Sequence, residues 1–249
     1  MSALPGMLAD NPRLDRWVNF ATPGQVTIST GRVEIGQGVL TAMAQIAAEE
    51  LDVAVDRIVI RSGDTDHTPN EGYTAGSQSM QMGGVALRQA CAEARALFLD
   101  RGAQLLGCAK AELTVRDGCI QRDGKSTAHD YWSLAASVVL ATDATGTAPR
   151  KSIAEYGVVG RDVTRLDLPA KVFGQPIFIH DMTLDDMAHA RVVRQPNRGA
   201  TLASVDQQAI RRAAREPIIF VRDGNFLAIV ADNETAVEAA TAAADAHTV

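Results

Sequence analysis

Two glycine-punctuated stretches carry the residue types that could hold or transform a ligand. The first runs Gly31-Arg32-Val33-Glu34-Ile35-Gly36-Gln37-Gly38. Glycines let a backbone approach a ligand closely, and amides at the start of a following helix favour an anion. Gln37 stands between two glycines and is expected to be held out with its amide donors and carbonyl free. That suits a heterocycle or an oxo group better than a bare phosphate. No Gly-Lys-Ser/Thr follows, so this is not a phosphate-binding P-loop, and the GxGxxG spacing of a dinucleotide site is absent. On spacing alone, a tight structural turn competes with a ligand cradle, because glycine-rich turns are common.

The second stretch, residues 63–80, reads GDTDHTPNEGYTAGSQSM. Ordering so polar a segment is costly unless something satisfies its groups. Gly72, Gly76, Ser77 and Ser79 would form a nest of amides and hydroxyls suited to phosphate or pterin oxygens. The competing reading is a flexible surface loop. His67 and Ser77 could be drawn as base and nucleophile, but Ala75-Gly76-Ser77-Gln78-Ser79 is no G-x-S-x-G elbow. His129, His180, His189 and His247 have no helical-spacing partner that would make a metal site. Glu49-Glu50 read as a solvated helix face. Cys91, Cys108 and Cys119 form no CxxC pair, so they read as buried free thiols rather than cluster or disulfide ligands.

The elements that must position these loops follow from periodicity. Val26–Thr30 alternates like a strand, Val39–Leu51 has helical spacing, and Ile58–Ile60 is a short apolar strand. A helix is predicted over Gly84–Leu106, a hairpin about Asp117-Gly118, and a helix over 129–140. Residues 1–14 read as an arm. Residues 141–152 are small, polar and Pro-containing, which places a domain boundary near residue 150. Beyond it, strands are predicted at Ala188–Val193, Thr201–Val205, Pro217–Val221 and Phe226–Ala231. Helices are predicted at Gln207–Ala214 and Glu234–Ala246, the latter capped from Asp232-Asn233. The fold class is α+β. At 249 residues, 46% hydrophobic and 22% charged, the chain can build two packed domains. A net charge of −6 and 4% aromatic content exclude a basic nucleic-acid stripe, a polybasic lipid anchor and base-stacking platforms.

Taken in order, these stretches resemble the large, molybdopterin-binding subunit of the xanthine dehydrogenase/aldehyde oxidase family. Within it, they are most similar to the branch of the isoquinoline 1-oxidoreductase β-subunit. The resemblance rests on Val33–Gly38, on Gln45, Ala48, Glu49 and Leu51, on Gly63-Asp64-Thr65-Asp66, and on Gly76–Met80. In the second half, Glu155-Tyr156, Val159-Gly160, Arg165–Gly174, Ala188–Val193 and Val221–Ala228 look like the family's α/β hammerhead domain. The implied organisation is a partial molybdenum-cofactor domain over 1–150 and a hammerhead domain over 151–249. The implied cofactor is molybdenum on a molybdopterin, with the cytosine dinucleotide form expected. Gly36, Gln37, Gly38, Gly76, Ser77, Gln78 and Ser79 are expected to bind it. In that family water supplies the oxygen, a glutamate is the base, and electrons leave through two [2Fe–2S] clusters on another domain or subunit.

The chain departs from the family in length, and the late Gly-Glu motif that supplies the glutamate is missing. No catalytic residue is therefore assigned. The economical expectation is a split subunit, with a larger molybdopterin-binding polypeptide completing the site and a separate [2Fe–2S] subunit in the same assembly. A flavin or a cytochrome c subunit would serve equally as acceptor. The expected activity is oxidation of an N-heterocycle or aldehyde. The absence of a leader leans towards the cytoplasm, or the periplasm if a partner carries the export signal. The alternative is a non-catalytic interaction or maturation module that kept the fold, and a hydrolase built on Ser77 and His67 is the third reading.

Overall fold

A computed structural model describes residues 4–249. The chain forms two compact units, Met1–Gln175 and Pro176–Val249.

The first unit begins with a short helix α1 (Gly6–Asp10). Of the arm expected over residues 1–14, residues 1–3 lie outside the described residues and the rest is packed: Leu8 and Leu14 are fully buried beside Trp17, because apolar residues spaced through the polar stretch reach the core. Strand β1 (Val18–Asn19) pairs antiparallel with β2 (Val26–Thr30), in register Val18↔Ile28. Helix α2 (Val39–Leu51) then crosses over to β3 (Ile58–Ser62), which lies parallel to β2 from Val26↔Ile58 to Thr30↔Ser62. This is a β-α-β unit. Helix α3 (Val85–Leu106) packs on α2 and supplies Leu87, Ala90, Cys91, Ala94 and Phe98 to the same core. Burial pushes the Cys91 thiol pKa up, so this cysteine is an inert core group.

A second sheet is a meander of β4 (Leu113–Arg116), β5 (Cys119–Arg122) and β6 (Lys125–Asp130). The predicted hairpin turn is present, with φ of +49° at Asp117 and +78° at Gly118, as a two-residue hairpin requires. The predicted helix over 129–140 shrinks to α4 (Tyr131–Leu134) followed by one 3₁₀ turn. Residues 129 and 130 instead close β6. Asp130 accepts the Ser133 N–H at 2.7 Å and so starts the helix after itself.

Residues 141–159 do not behave as a linker. Glu49, Glu50 and Glu93, which the sequence suggested were solvated in the case of the first two, are 3%, 1% and 6% exposed. Glu49 accepts the N–H groups of Gly157 (3.0 Å), Val158 (2.7 Å) and Val159 (2.9 Å). Glu50 accepts Lys151 N–H and Arg88 Nε, and Glu93 accepts Thr145 N–H, Thr145 Oγ1 and Ala148 N–H. The composition that reads as a boundary is thus a strap tied to α2 and α3 by buried carboxylates. The division between units falls at 175/176 rather than near 150. Within the strap's continuation, α5 (Leu168–Val172) follows the Arg165–Asp167 pair.

The second unit is one antiparallel sheet in the order β7 (His189–Val193), β9 (Phe226–Ala231), β8 (Ile219–Asp223). Helices α6 (Gln207–Ala214) and α7 (Glu234–His247) cover one face, burying Ile210, Ile218, Ile229 and Val237. Asn233 caps α7 by accepting Thr235 N–H at 2.8 Å. The strand expected at Thr201–Val205 is absent. That segment contributes one isolated bridge, Val205↔Thr248, because its amides bond the chain end at Val249. No helix among the described residues is long and apolar enough to cross a membrane.

Burial pushes the Glu49 carboxyl up, but the N–H donors of Val159, Val158 and Gly157, with the Lys151 charge, outweigh it and hold the pKa below the usual glutamate value. Glu93 is depressed in the same way by Thr145, Ala148 and Gln89. A depressed folded pKa contributes stability above the unfolded value of about 4.3 and loses it as pH falls through the folded value. The urea midpoint should therefore fall on acidification below about pH 4.3, and less steeply in Glu49→Gln. Glu49→Ala leaves three amides without their acceptor and should cost at least about 3 kcal/mol by urea unfolding.

Candidate functional site

Both candidate loops leave the carboxyl ends of adjacent parallel strands. Residues 31–38 follow β2, and residues 63–80 follow β3. That end of a parallel pair is where ligands bind in open α/β sheets. The two loops line one cleft of about 530 Å³, which includes Ile35, Gln37, Gly38, Gly76, Ser77 and Ser79. Of the predicted binding residues, Gly36 and Gln78 sit just outside its lining. A larger open cleft, about 820 Å³, surrounds Arg57, Asp117 and Trp132. Its charges are spent internally: Arg57 pairs with Asp117 at 2.8 Å and lies over the Trp132 ring.

The first loop is closed on itself. Gln37 does not stand free. Its Oε1 accepts Ile35 N–H at 2.7 Å and its Nε2 donates to the Val33 carbonyl at 3.1 Å. The anion expected at the α2 N-terminus is the chain's own Glu34, whose Oε1 accepts Gly36 N–H and Gly38 N–H, both at 2.8 Å. The loop's own glutamate and glutamine reach these amides first, which glycine spacing alone does not reveal. Arg165 covers the carboxylate, with Nη2 at 3.5 Å from Glu34 Oε1 and Nη1 donating to the Gly36 carbonyl at 3.0 Å. Arg165 and then Lys171 also hold the Asp167 carboxyl well below the usual aspartate range.

The second loop is ordered and has donors left over. Asn11 and Arg16 bond its backbone at Asn70, Asp66 and Thr68. Gly76 and Ser77 are successive left-handed residues, φ +61° and +58°. Among the described residues, the Gly76 and Ser77 amides and the Ser77 and Ser79 hydroxyls bond no protein acceptor. Successive amides in such a turn form an anion-binding concavity. Ser79–Gly84 then forms a π-helical turn that leads into α3, a feature that is often found at functional sites. His67 pairs with Asp64 at 3.0 Å. No hydrogen bond joins it to Ser77, so the pair is not assembled as base and nucleophile.

Beneath the cleft lies a pair that sequence reasoning missed. Arg32 and Glu71 side chains are fully buried, with Arg32 Nε 3.4 Å from Glu71 Oε1. Glu71 Oε2 accepts Thr30 Oγ1 at 2.5 Å and Gly31 N–H at 2.8 Å. Arg32 Nη1 donates to the Tyr73 carbonyl. Arg32 Nε, Arg32 Nη2 and Glu71 Oε1 have no hydrogen-bond partner among the described residues. The signal in the sequence was a cation beside Gly31 and Glu71, one of three acids inside the polar loop. Among the described residues no group of three or more His, Cys, Asp or Glu is placed to hold a metal ion.

The family profile described as the molybdopterin cofactor-binding domain matches residues 5–185. A nicotinate dehydrogenase subunit of Pseudomonas putida is 35% identical over 227 residues, 88% of this chain and 19% of that protein. A membrane-bound aldehyde dehydrogenase of Gluconacetobacter polyoxogenes, named for pyrroloquinoline quinone, is 30% identical over 84% of this chain and 27% of its own length. The isoquinoline 1-oxidoreductase β-subunit of Brevundimonas diminuta is 28% identical over 84% of this chain and 31% of its own. The chain thus spans less than a third of the length of these relatives.

Glycines around the cleft differ in what they tolerate. A Cβ at Gly83 would sit 2.4 Å from Glu71 Oε1 and 3.3 Å from Met43 Cε, whereas one at Gly36 meets nothing within 4 Å. Gly83→Ala should lower stability by about 2–3 kcal/mol through overpacking. Gly36→Ala, strained only by its φ of +104°, should cost about 1–2 kcal/mol. Thermal unfolding of the two variants checks the order.

Proposed function

The chain belongs to the molybdopterin cofactor-binding domain family, within the xanthine dehydrogenase/aldehyde oxidase group, and from that premise we propose that its 31–38 and 72–80 loops form one wall of a pterin-cofactor site. The observation that carries this reading is the set of free donors on the second loop, facing the cleft that the first loop shares. The residues fit an anionic, oxygen-rich group. Two left-handed residues present adjacent amides, two serine hydroxyls stand beside them, and Gly36 and Gly72 have open space beside them. The Gly76 and Ser77 amides would donate to phosphate or pterin oxygens, with Ser77 Oγ and Ser79 Oγ adding two more donors and Gln78 bordering them. Gln37 lines the opposite wall, and turning its amide off Val33 and Ile35 would bring it to the bound group. Gly36 and Gly38 shape that wall, while Glu34 and Arg165 fix it.

When bound, molybdenum on the pterin supplies two-electron oxidation in which water provides the oxygen. This chain's part is to bind and orient that group. The base is assigned to residues outside this sequence. The proposed reaction class is oxidation of an N-heterocycle or aldehyde. It draws support from relatives named for nicotinate, isoquinoline and aldehyde substrates. The proposed assembly includes a further molybdopterin-binding polypeptide and a [2Fe–2S] subunit, with the cofactor in its cytosine dinucleotide form. Residues 176–249 are assigned a structural role as a hammerhead-type domain, since their sheet and helices present no comparable donor set.

The test is metal and pterin content of the native assembly purified through this chain. Molybdenum near one per chain is expected. Ser77→Ala combined with Ser79→Ala should lower it at least tenfold with little change in unfolding temperature, since Ser77 is exposed and Ser79 half-buried. An assembly free of molybdenum and pterin would leave the chain a non-catalytic module.

A further inference from the structure

We propose that the buried Arg32–Glu71 pair is the latch that holds the two cofactor loops in register, so that Arg32 and Glu71 are positioning residues for the donor set on Gly76 and Ser77. This rests on the proposed function for its ligand, but the latch itself rests on geometry within the chain.

Three successive residues of the first loop grip the second. Gly31 N–H donates to Glu71 Oε2 at 2.8 Å, Arg32 Nη1 donates to the Tyr73 carbonyl, and Val33 N–H donates to Thr74 Oγ1 at 3.0 Å. Contacts at 31, 32 and 33 thus run to 71, 73 and 74, in the same direction. The last is two residues before Gly76. The contacts are tight: a Cβ on Gly31 would lie 2.5 Å from the Pro69 carbonyl oxygen. The other side of Arg32 is fixed to the sheet, because Ser62 Oγ at the end of β3 donates to its carbonyl at 2.6 Å. The pair therefore ties both strand ends and both loops at one point.

The chemistry of the pair argues for position over stability. A buried ion pair is weak evidence of stabilisation, since desolvation offsets much of the attraction. Here the balance is poorer still. Arg32 Nε and Nη2 and Glu71 Oε1 lack hydrogen bonds in a fully buried setting. Apolar residues of similar size would fill the same volume without that cost. What they could not do is hold the Tyr73 carbonyl, the Gly31 amide and the Thr30 hydroxyl at once. Ligand sites need their donors fixed by a supporting layer of hydrogen bonds, and this pair supplies it for the exposed turn at 75–78.

The decisive variant is Arg32→Met with Glu71→Leu, made in the full chain and purified in its native assembly. Removing one partner alone would strand a buried charge and disturb folding, so the double replacement separates the roles. The latch predicts that the double variant still unfolds in one cooperative transition, together with at least a tenfold loss of bound molybdenum. It also predicts at least tenfold faster hydrogen exchange over residues 72–84, measured by mass spectrometry on metal-free samples of both proteins. Unchanged exchange in that peptide overturns the latch, as does full molybdenum retention by the double variant. If the wild type holds no molybdenum, the proposed function fails, and the exchange comparison alone still decides the latch.

Discussion

The parallel pairing of β2 with β3 is the constraint on which the rest depends. Five consecutive residue pairs, Val26↔Ile58 to Thr30↔Ser62, set the two strand ends level. A parallel pair needs a crossover, and α2 provides it. Because the side chains alternate along a strand, a one-residue slip would turn the buried faces outward. Residues 31–38 and 63–80 must then emerge side by side. That register brings the two loops level, and the hydrogen bonds from Gly31, Arg32 and Val33 to Glu71, Tyr73 and Thr74 then hold them together beside the cleft that Gln37 and Ser77 line.

Carboxylates, buried except at half-buried Glu34, form the second organising layer. Glu34, Glu49, Glu50, Glu71 and Glu93 each accept backbone N–H groups from a segment that has no regular secondary structure. Loops cannot satisfy their amides through a ladder, and buried amides must find acceptors. A carboxylate offers several acceptor sites on one side chain. A single glutamate on a helix can therefore fix three consecutive loop residues, as Glu49 does at 157–159. The polar strap and the glycine loops gain order in this way without an apolar core of their own.

This explains which parts of the molecule were legible in the sequence. Helices α2, α3, α6 and α7 and strands β2 and β9 were readable from periodicity, because each buries one apolar face. The hairpin at Asp117-Gly118 was readable because its turn needs positive φ. The acids were not. Glu49 and Glu50 look like a solvated pair until residues about a hundred positions away supply their donors. For the same reason the segment after residue 140 resembled a linker. The free donors at Gly76 and Ser77 lay where glycine and serine spacing suggested. The self-closure of Gln37 and Glu34, and the burial of Arg32 against Glu71, depend on contacts between loops that no local pattern encodes.

The π-helical turn at Ser79–Gly84 sets the phase of everything after it. Each wider turn holds an extra residue against the 3.6-residue repeat of the helix that follows. Deleting one residue there would restore an ordinary helix and turn α3 by about 100° about its axis relative to the cleft. Glu93 and Arg88 would swing away from residues 145–151, and Phe98 would leave its contacts with Phe20 and Tyr131. The length of the stretch between Ser77 and α3 is thus a phase constraint. Substitutions within it can be absorbed locally, but a change in its residue count is transmitted along all 22 residues of the helix.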